Sequence, residues 1–148
     1  GIEKVVLNSV LATNLNLVKE AVAIFGSQSI VASIDVKKSI LGKYHAYSHS
    51  AKRKVKQNLQ DYIKSIEEAG VGELFLNNID RDGTYQGYDL NLIKMMAESI
   101  DIPLVACGGA TDLSDFKKGI ESGASAVAAG NRYSIRYSEL LAFIISVL

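Results

Sequence analysis

A single cysteine, Cys107, stands in a chain of 148 residues. It has nothing to pair with inside the chain, which excludes an internal disulfide framework and fits a reducing, cytoplasmic setting. Net charge is missing as well, since 16 Lys and Arg balance 16 Asp and Glu. A balanced chain gives no electrostatic case for nucleic acid or an acidic membrane as partner. No apolar run reaches the roughly 20 residues of a membrane-spanning helix, and no signal peptide is visible. The chain opens Gly1-Ile2-Glu3-Lys4-Val5 without an initiator methionine and reads as strand by about residue 4. Such a beginning is expected of a piece cut from a longer protein.

What is present is ordinary for one globular domain with a real core: 48% apolar and 22% charged residues. Short apolar runs at residues 4–8, 29–35, 73–77, 103–107 and 124–129 read as strands. Between them the apolar residues follow helical spacing: Val18, Ala21, Val22 and Phe25; Leu59, Tyr62, Ile63 and Ile66; Leu92, Ile93, Met96 and Ile100; Leu113, Phe116 and Ile120. Leu140, Leu141, Ile144, Ile145 and Leu148 predict a last helix. Asn14 and Asp89 are placed as N-caps, with Gly26, Gly70 and Gly123 as stops. Residues 36–57 form an insertion whose alternating Tyr44, Ala46 and Ser48 suggest a hairpin arm. Five strand–helix units predict an α/β fold with a parallel sheet covered by helices and right-handed crossovers. A faint echo between Gly1…Val5…Asn8 and Gly123…Val127…Gly130 favours a barrel or solenoid over a doubly wound sheet. The expected domain is one partial (β/α) barrel over 1–148.

In such folds the site lies at the C-terminal ends of the strands. The unusual polar residues gather there: Asn8 and Ser9, Asp35, Asn77 and Asn78, Asp80 to Thr84, Cys107 to Gly109, and Gly130 with Asn131. Gly108-Gly109 and Gly130-Asn131 follow consecutive strands, where glycine lets backbone amides approach a phosphate; tight turns that need positive φ are the plainer reading. Asp35 and Asp82 are the acid/base candidates, because carboxylates in different settings can hold different protonation states. Arg81 would instead neutralise one of them, and Asp82-Gly83 would then be only a solvated turn. Cys107 lacks a histidine partner and reads as a small packed residue. His45 and His49 have no ligand set around them, so neither a metal nor another cofactor is expected. Lys52-Arg53-Lys54 with Lys56 reads as a solvated loop, or as a meeting point for a phosphate or a partner.

Four stretches then add up to a family. They are Gly1-Ile2-Glu3-Lys4-Val5-Val6-Leu7-Asn8; residues 25–37, ending Ile34-Asp35-Val36-Lys37; Ile79-Asp80-Arg81-Asp82-Gly83-Thr84 with Gly87-Tyr88-Asp89; and Ala106-Cys107-Gly108-Gly109-Ala110. In this order they resemble the cyclase subunit of imidazole glycerol phosphate synthase, a (β/α)8 barrel of histidine biosynthesis. The resemblance implies that ammonia from a separate glutaminase subunit reaches a bisphosphorylated formimino-ribulose nucleotide. Imidazole glycerol phosphate and an aminoimidazole carboxamide ribotide would be the products. Asp82 matches a catalytic acid/base and Asp35 an assisting carboxylate. Asn8 would support the site, and Asn77, Thr84, Cys107, Gly108, Gly109, Gly130 and Asn131 would bind substrate or line its phosphates. Lys4 and Glu73 would form the charged gate where ammonia enters.

The resemblance covers only the fourth to the eighth of the family's eight units, so its first strand, with an essential aspartate, is not among these residues. The family has Thr where Asn77 stands and Ser where Cys107 stands. Asp35-Val36-Lys37-Lys38 and Ala106-Cys107-Gly108-Gly109 look like a paralogous branch that delivers ammonia for acetamidino groups on surface sugars. A third expectation is a catalytically silent piece that folds and assembles, self-associating through its open barrel edges.

Overall fold

In the computed structural model, residues 3–49 and 51–129 are described. The last predicted helix, with Leu140 to Leu148, lies outside them. The elements run β1 (Val5–Leu7), α1 (Ser9–Thr13), α2 (Leu15–Phe25), β2 (Ile30–Lys38), β3 (Tyr44–Ser48), β4 (Arg53–Lys54), α3 (Leu59–Glu68), β5 (Glu73–Asn78), α4 (Leu90–Ala97), β6 (Leu104–Cys107), α5 (Leu113–Glu121) and β7 (Ala126–Ala128).

Five strands are parallel and lie in chain order, β1-β2-β5-β6-β7. A doubly wound sheet reverses its order at a switch point. Here the order never reverses, so successive units lie side by side as an arc of a (β/α) barrel, unclosed among the described residues. Strand alternation gives the arc two faces. Ala32, Ile34 and Val36 of β2, Leu74 and Leu76 of β5, Leu104 and Ala106 of β6 and Val127 of β7 point outward and are buried in the core with the helices. Val6, Val31, Ser33, Phe75, Val105 and Ala126 point the other way, toward the barrel interior.

Local chemistry sets where the helices begin. Asn14 accepts the Leu17 N–H at 3.1 Å, and Asp89 accepts that of Leu92 at 3.1 Å, both as expected of N-caps. Asn58 does the same for Asp61, and Asp112 for Ser114 and Asp115. Two helix faces differ from the expectation. Phe25 ends α2 at 62% exposure, and α5 leaves Leu113 and Ile120 about 40% exposed. Instead α5 buries Phe116 and Gly119. At Gly119 an added Cβ would lie 2.8 Å from Val127 and 3.3 Å from Tyr88, so the missing side chain sets how closely α5 approaches the sheet. Apolar periodicity does not reveal a contact made by an absent side chain.

The arm belongs to the same sheet. β2 runs on to Lys38, past the expected end at Asp35, and pairs antiparallel with β3, which pairs with β4. β1 covers one edge of β2 from Ile30 to Ala32, and β3 takes over that edge from Asp35 to Lys38.

Candidate functional site

Asp35 is the centre of the strand ends. It sits in register with Asn77 on β5, which is in register with Cys107 on β6, which faces Ala128 on β7. The four side chains therefore form one row across the interior face. Asn77 Nδ2 donates to Asp35 Oδ1 at 3.2 Å. Just past β1, Asn8 Nδ2 donates to Asp35 Oδ2 at 3.3 Å and to the Ser33 carbonyl at 3.0 Å. Each carboxylate oxygen thus has an amide donor from the side of a different neighbouring strand. That fixes the plane of the carboxylate on a rigid base while leaving it half-buried and reachable.

Asp82 stands on the turn after β5, and Asn78 builds that turn. Asn78 Oδ1 accepts the Asp80 N–H at 3.1 Å, and its carbonyl accepts those of Arg81 at 3.2 Å and Asp82 at 3.0 Å. Asp80 Oδ2 accepts the Lys38 N–H at 2.6 Å, pinning the turn to the end of β2. Arg81 donates to the Gln86 carbonyl at 3.0 Å, and no ion pair joins it to either candidate carboxylate. The Thr84 hydroxyl donates to the Arg81 carbonyl at 2.8 Å, so it closes the turn on itself. The parts played by Asn78 and Asp80 are not legible in the sequence. Their partners are backbone groups, and the one that holds Asp80 lies 42 residues away.

Burial pushes the Cys107 thiol up, and the negative charge of nearby Asp82 adds to this, while the Gly108 backbone works the other way. A thiol held protonated is no nucleophile. Gly108 and Gly109 both take positive φ, at 104° and 98°. An added Cβ would lie 2.5 Å from the Asn78 carbonyl at Gly108, and 2.4 Å from the Gly87 carbonyl at Gly109. Packing against the Asp82 turn therefore already requires both glycines, with or without a phosphate. Gly130 and Asn131 lie outside the described residues.

At the opposite end of the interior face, Lys4 Nζ meets Glu73 Oε2 at 3.0 Å. Lys4 precedes β1 and Glu73 begins β5, so this ion pair crosses over β2. The interior face thus has a charged pair at the N-terminal end of its strands, then Val6, Val31, Phe75 and Val105 with Ser33 among them, and Asn8, Asp35 and Asn77 at the far end. No group of three His, Cys, Asp or Glu among the described residues gathers as a metal set, and no described helix is long and apolar enough to cross a membrane.

Against known proteins, a family model described as "Histidine biosynthesis protein" matches residues 1–136. A Pseudomonas aeruginosa protein provisionally named imidazole glycerol phosphate synthase subunit hisF2 is 40% identical over 134 residues, covering 90% of this chain and 53% of that protein. The imidazole glycerol phosphate synthase subunit HisF of Petrotoga mobilis is 37% identical over 132 residues, covering 88% and 52%. That of Sulfolobus acidocaldarius is 39% identical over 130 residues, with the same two shares. The chain spans about half the length of the curated relatives it matches.

Proposed function

The chain belongs to the family of histidine biosynthesis proteins, and on that premise we propose that it forms the last five strand–helix units of an imidazole glycerol phosphate synthase cyclase. Ammonia from a glutaminase partner enters past Lys4 and Glu73 and travels along the interior face past Val31, Phe75 and Val105. It meets a bisphosphorylated formimino-ribulose nucleotide at the strand ends. The observation that carries this reading is the Asp35 carboxylate, held by Asn8 and Asn77. A carboxylate fixed on strands suits proton transfer to and from a bound substrate better than one on a turn, because its distance to the reacting atom is set by the sheet. We therefore give Asp35 the leading acid/base role and Asp82 the second. Backbone amides after β6, with Gly130 and Asn131, take a phosphate.

The test supplies ammonium and the ribulose nucleotide to this chain together with the remaining strand–helix units of a relative. Imidazole glycerol phosphate should form. Asp35→Asn should lower kcat by about 10³ and Asp82→Asn by about 10², on the scale of lost acid–base catalysis, with far-UV circular dichroism unchanged. Turnover that survives Asp35→Asn within a factor of about two would remove Asp35 from the chemistry.

A further inference from the structure

A second concave feature lies outside the strand-end row. It is an open groove of about 550 Å³ between the α1–α2 junction and the end of the arm, within the size range of small-molecule sites. One wall carries Arg53, Lys54 and Lys56. The stretch 49–57 has four cations and no carboxylate, although the whole chain is neutral. The opposite wall, from Leu11 to Leu15, carries no acid either. Among the described residues Lys4, Lys94, Lys117 and Lys118 form ion pairs, and none involves Lys52, Arg53, Lys54 or Lys56. Like charges crowded along a concave wall with no counter-charge repel one another, and an anion seated between the walls relieves that. The groove also adjoins the candidate site. His49, in its lining, donates its backbone N–H to Ser9 Oγ at 3.2 Å, and Ser9 follows Asn8.

We propose that this groove binds a small phosphorylated molecule, with Arg53 taking the phosphate and Lys54 and Lys56 adding positive charge around it. Arg53 offers a planar fork of donors suited to paired phosphate oxygens, and the lysines add point charges. Asn14 supplies an amide from the opposite wall; its oxygen is committed to Leu17, which leaves its NH₂ for a ligand. The groove floor is apolar at Leu11 and Val55, which suits the carbon skeleton of a phosphorylated sugar better than inorganic phosphate alone. The phosphate would come from one of two sources: the distal end of a bisphosphorylated substrate that also occupies the strand ends, or a separate sugar phosphate. Binding of a separate sugar phosphate does not depend on the cyclase reading.

The experiment follows backbone amide NMR shifts of the full chain titrated with ribose 5-phosphate and, separately, with ribulose 1,5-bisphosphate. Saturable shifts at Thr13, Asn14, Val55 and Gln57 are expected. The combined variant Arg53→Gln, Lys54→Gln, Lys56→Gln should weaken binding at least about tenfold, equal to about 1.4 kcal/mol. Groove shifts with ribose 5-phosphate that leave Gly108 and Gly109 unmoved identify a separate metabolite. Shifts of both regions at one midpoint with the bisphosphate identify a bridging substrate. Either result supports the site. Absence of saturable groove shifts with both probes overturns the proposal. So does undiminished affinity in a combined variant whose spectrum shows it folded.

Discussion

Two faces of one sheet carry different duties, and neighbouring residues separate them. Ile34 points outward and is 1% exposed among helix side chains; Asp35 points inward and accepts two amides. The outward face is apolar until the strand ends, where Asn78 and Lys38 lie on it. The inward face is charged at its start, apolar but for Ser33 in its middle, and polar at its end. Outward positions reward any well-packed hydrophobe, so they hold the fold together. Inward positions are less completely covered, and Val6 there is 61% exposed. Stability and chemistry are thus divided by the two-residue period of the strand.

The sharpest break of that division is a pair of single substitutions. Ile34→Ala should cost about 2–5 kcal/mol of unfolding free energy, the range for truncating a buried isoleucine. Asp35→Asn, one residue on, should cost less than about 1 kcal/mol, because the new amide keeps an acceptor oxygen for Asn8, and the Asn77 amide, turned over, accepts from its NH₂. Urea denaturation of both variants measures the contrast. Equal losses would mean that the interior face is core in the same sense as the exterior.

The division also explains which features are legible in the amino-acid sequence. Ile34, Leu76, Ile63 and Met96 repeat with the period of their element, and that period alone assigns them to the core they occupy. Asn14 and Asp89 cap helices three residues away, so their roles are local and legible. Asp35 stands out because it follows the apolar run of residues 30–34. Its two amide partners, 27 and 42 residues distant, are set by register, which composition does not encode. Helix α1 leaves no trace in the sequence because five residues are too few to show a period. Leu113 and Ile120 mislead because α5 packs through Gly119.

A smaller effect tests whether carboxylates obey the same division. Asp115 sits in the outer layer, accepting the Thr111 N–H at 2.9 Å and lying 3.5 Å from Lys118. Burial pushes its carboxyl up, but the Thr111 hydrogen bonds and the Lys118 charge outweigh this and leave it below its ordinary 3.8. A depressed native value means stability that is present above the unfolded value and is lost as pH falls through the folded one. The acid limb of the stability curve should therefore steepen below about pH 4, and Asp115→Asn should flatten it there. Unfolding midpoints taken from pH 7 downward measure this. An unchanged acid limb in the variant would show that Asp115 contributes packing without charge.

The smallest effect concerns the arm, which extends the β2 edge beyond the barrel arc. Tyr44 donates to Asp89 Oδ2 at 2.8 Å, tying β3 to the start of α4. Burial raises the Tyr44 phenol well above its ordinary range, and the bond to Asp89 adds to the shift, so the proton stays on the tyrosine as the donor. Asp89 Oδ1 already caps Leu92, and that bond does not depend on the arm. Tyr44→Phe should consequently loosen the arm while leaving α4 capped, at a cost of about 0.5–1.5 kcal/mol for one hydrogen bond. Amide hydrogen exchange should quicken in β3 and stay unchanged in α4. Faster exchange in both elements would make the arm a support for the outer layer, and the two-face division would then need a third member.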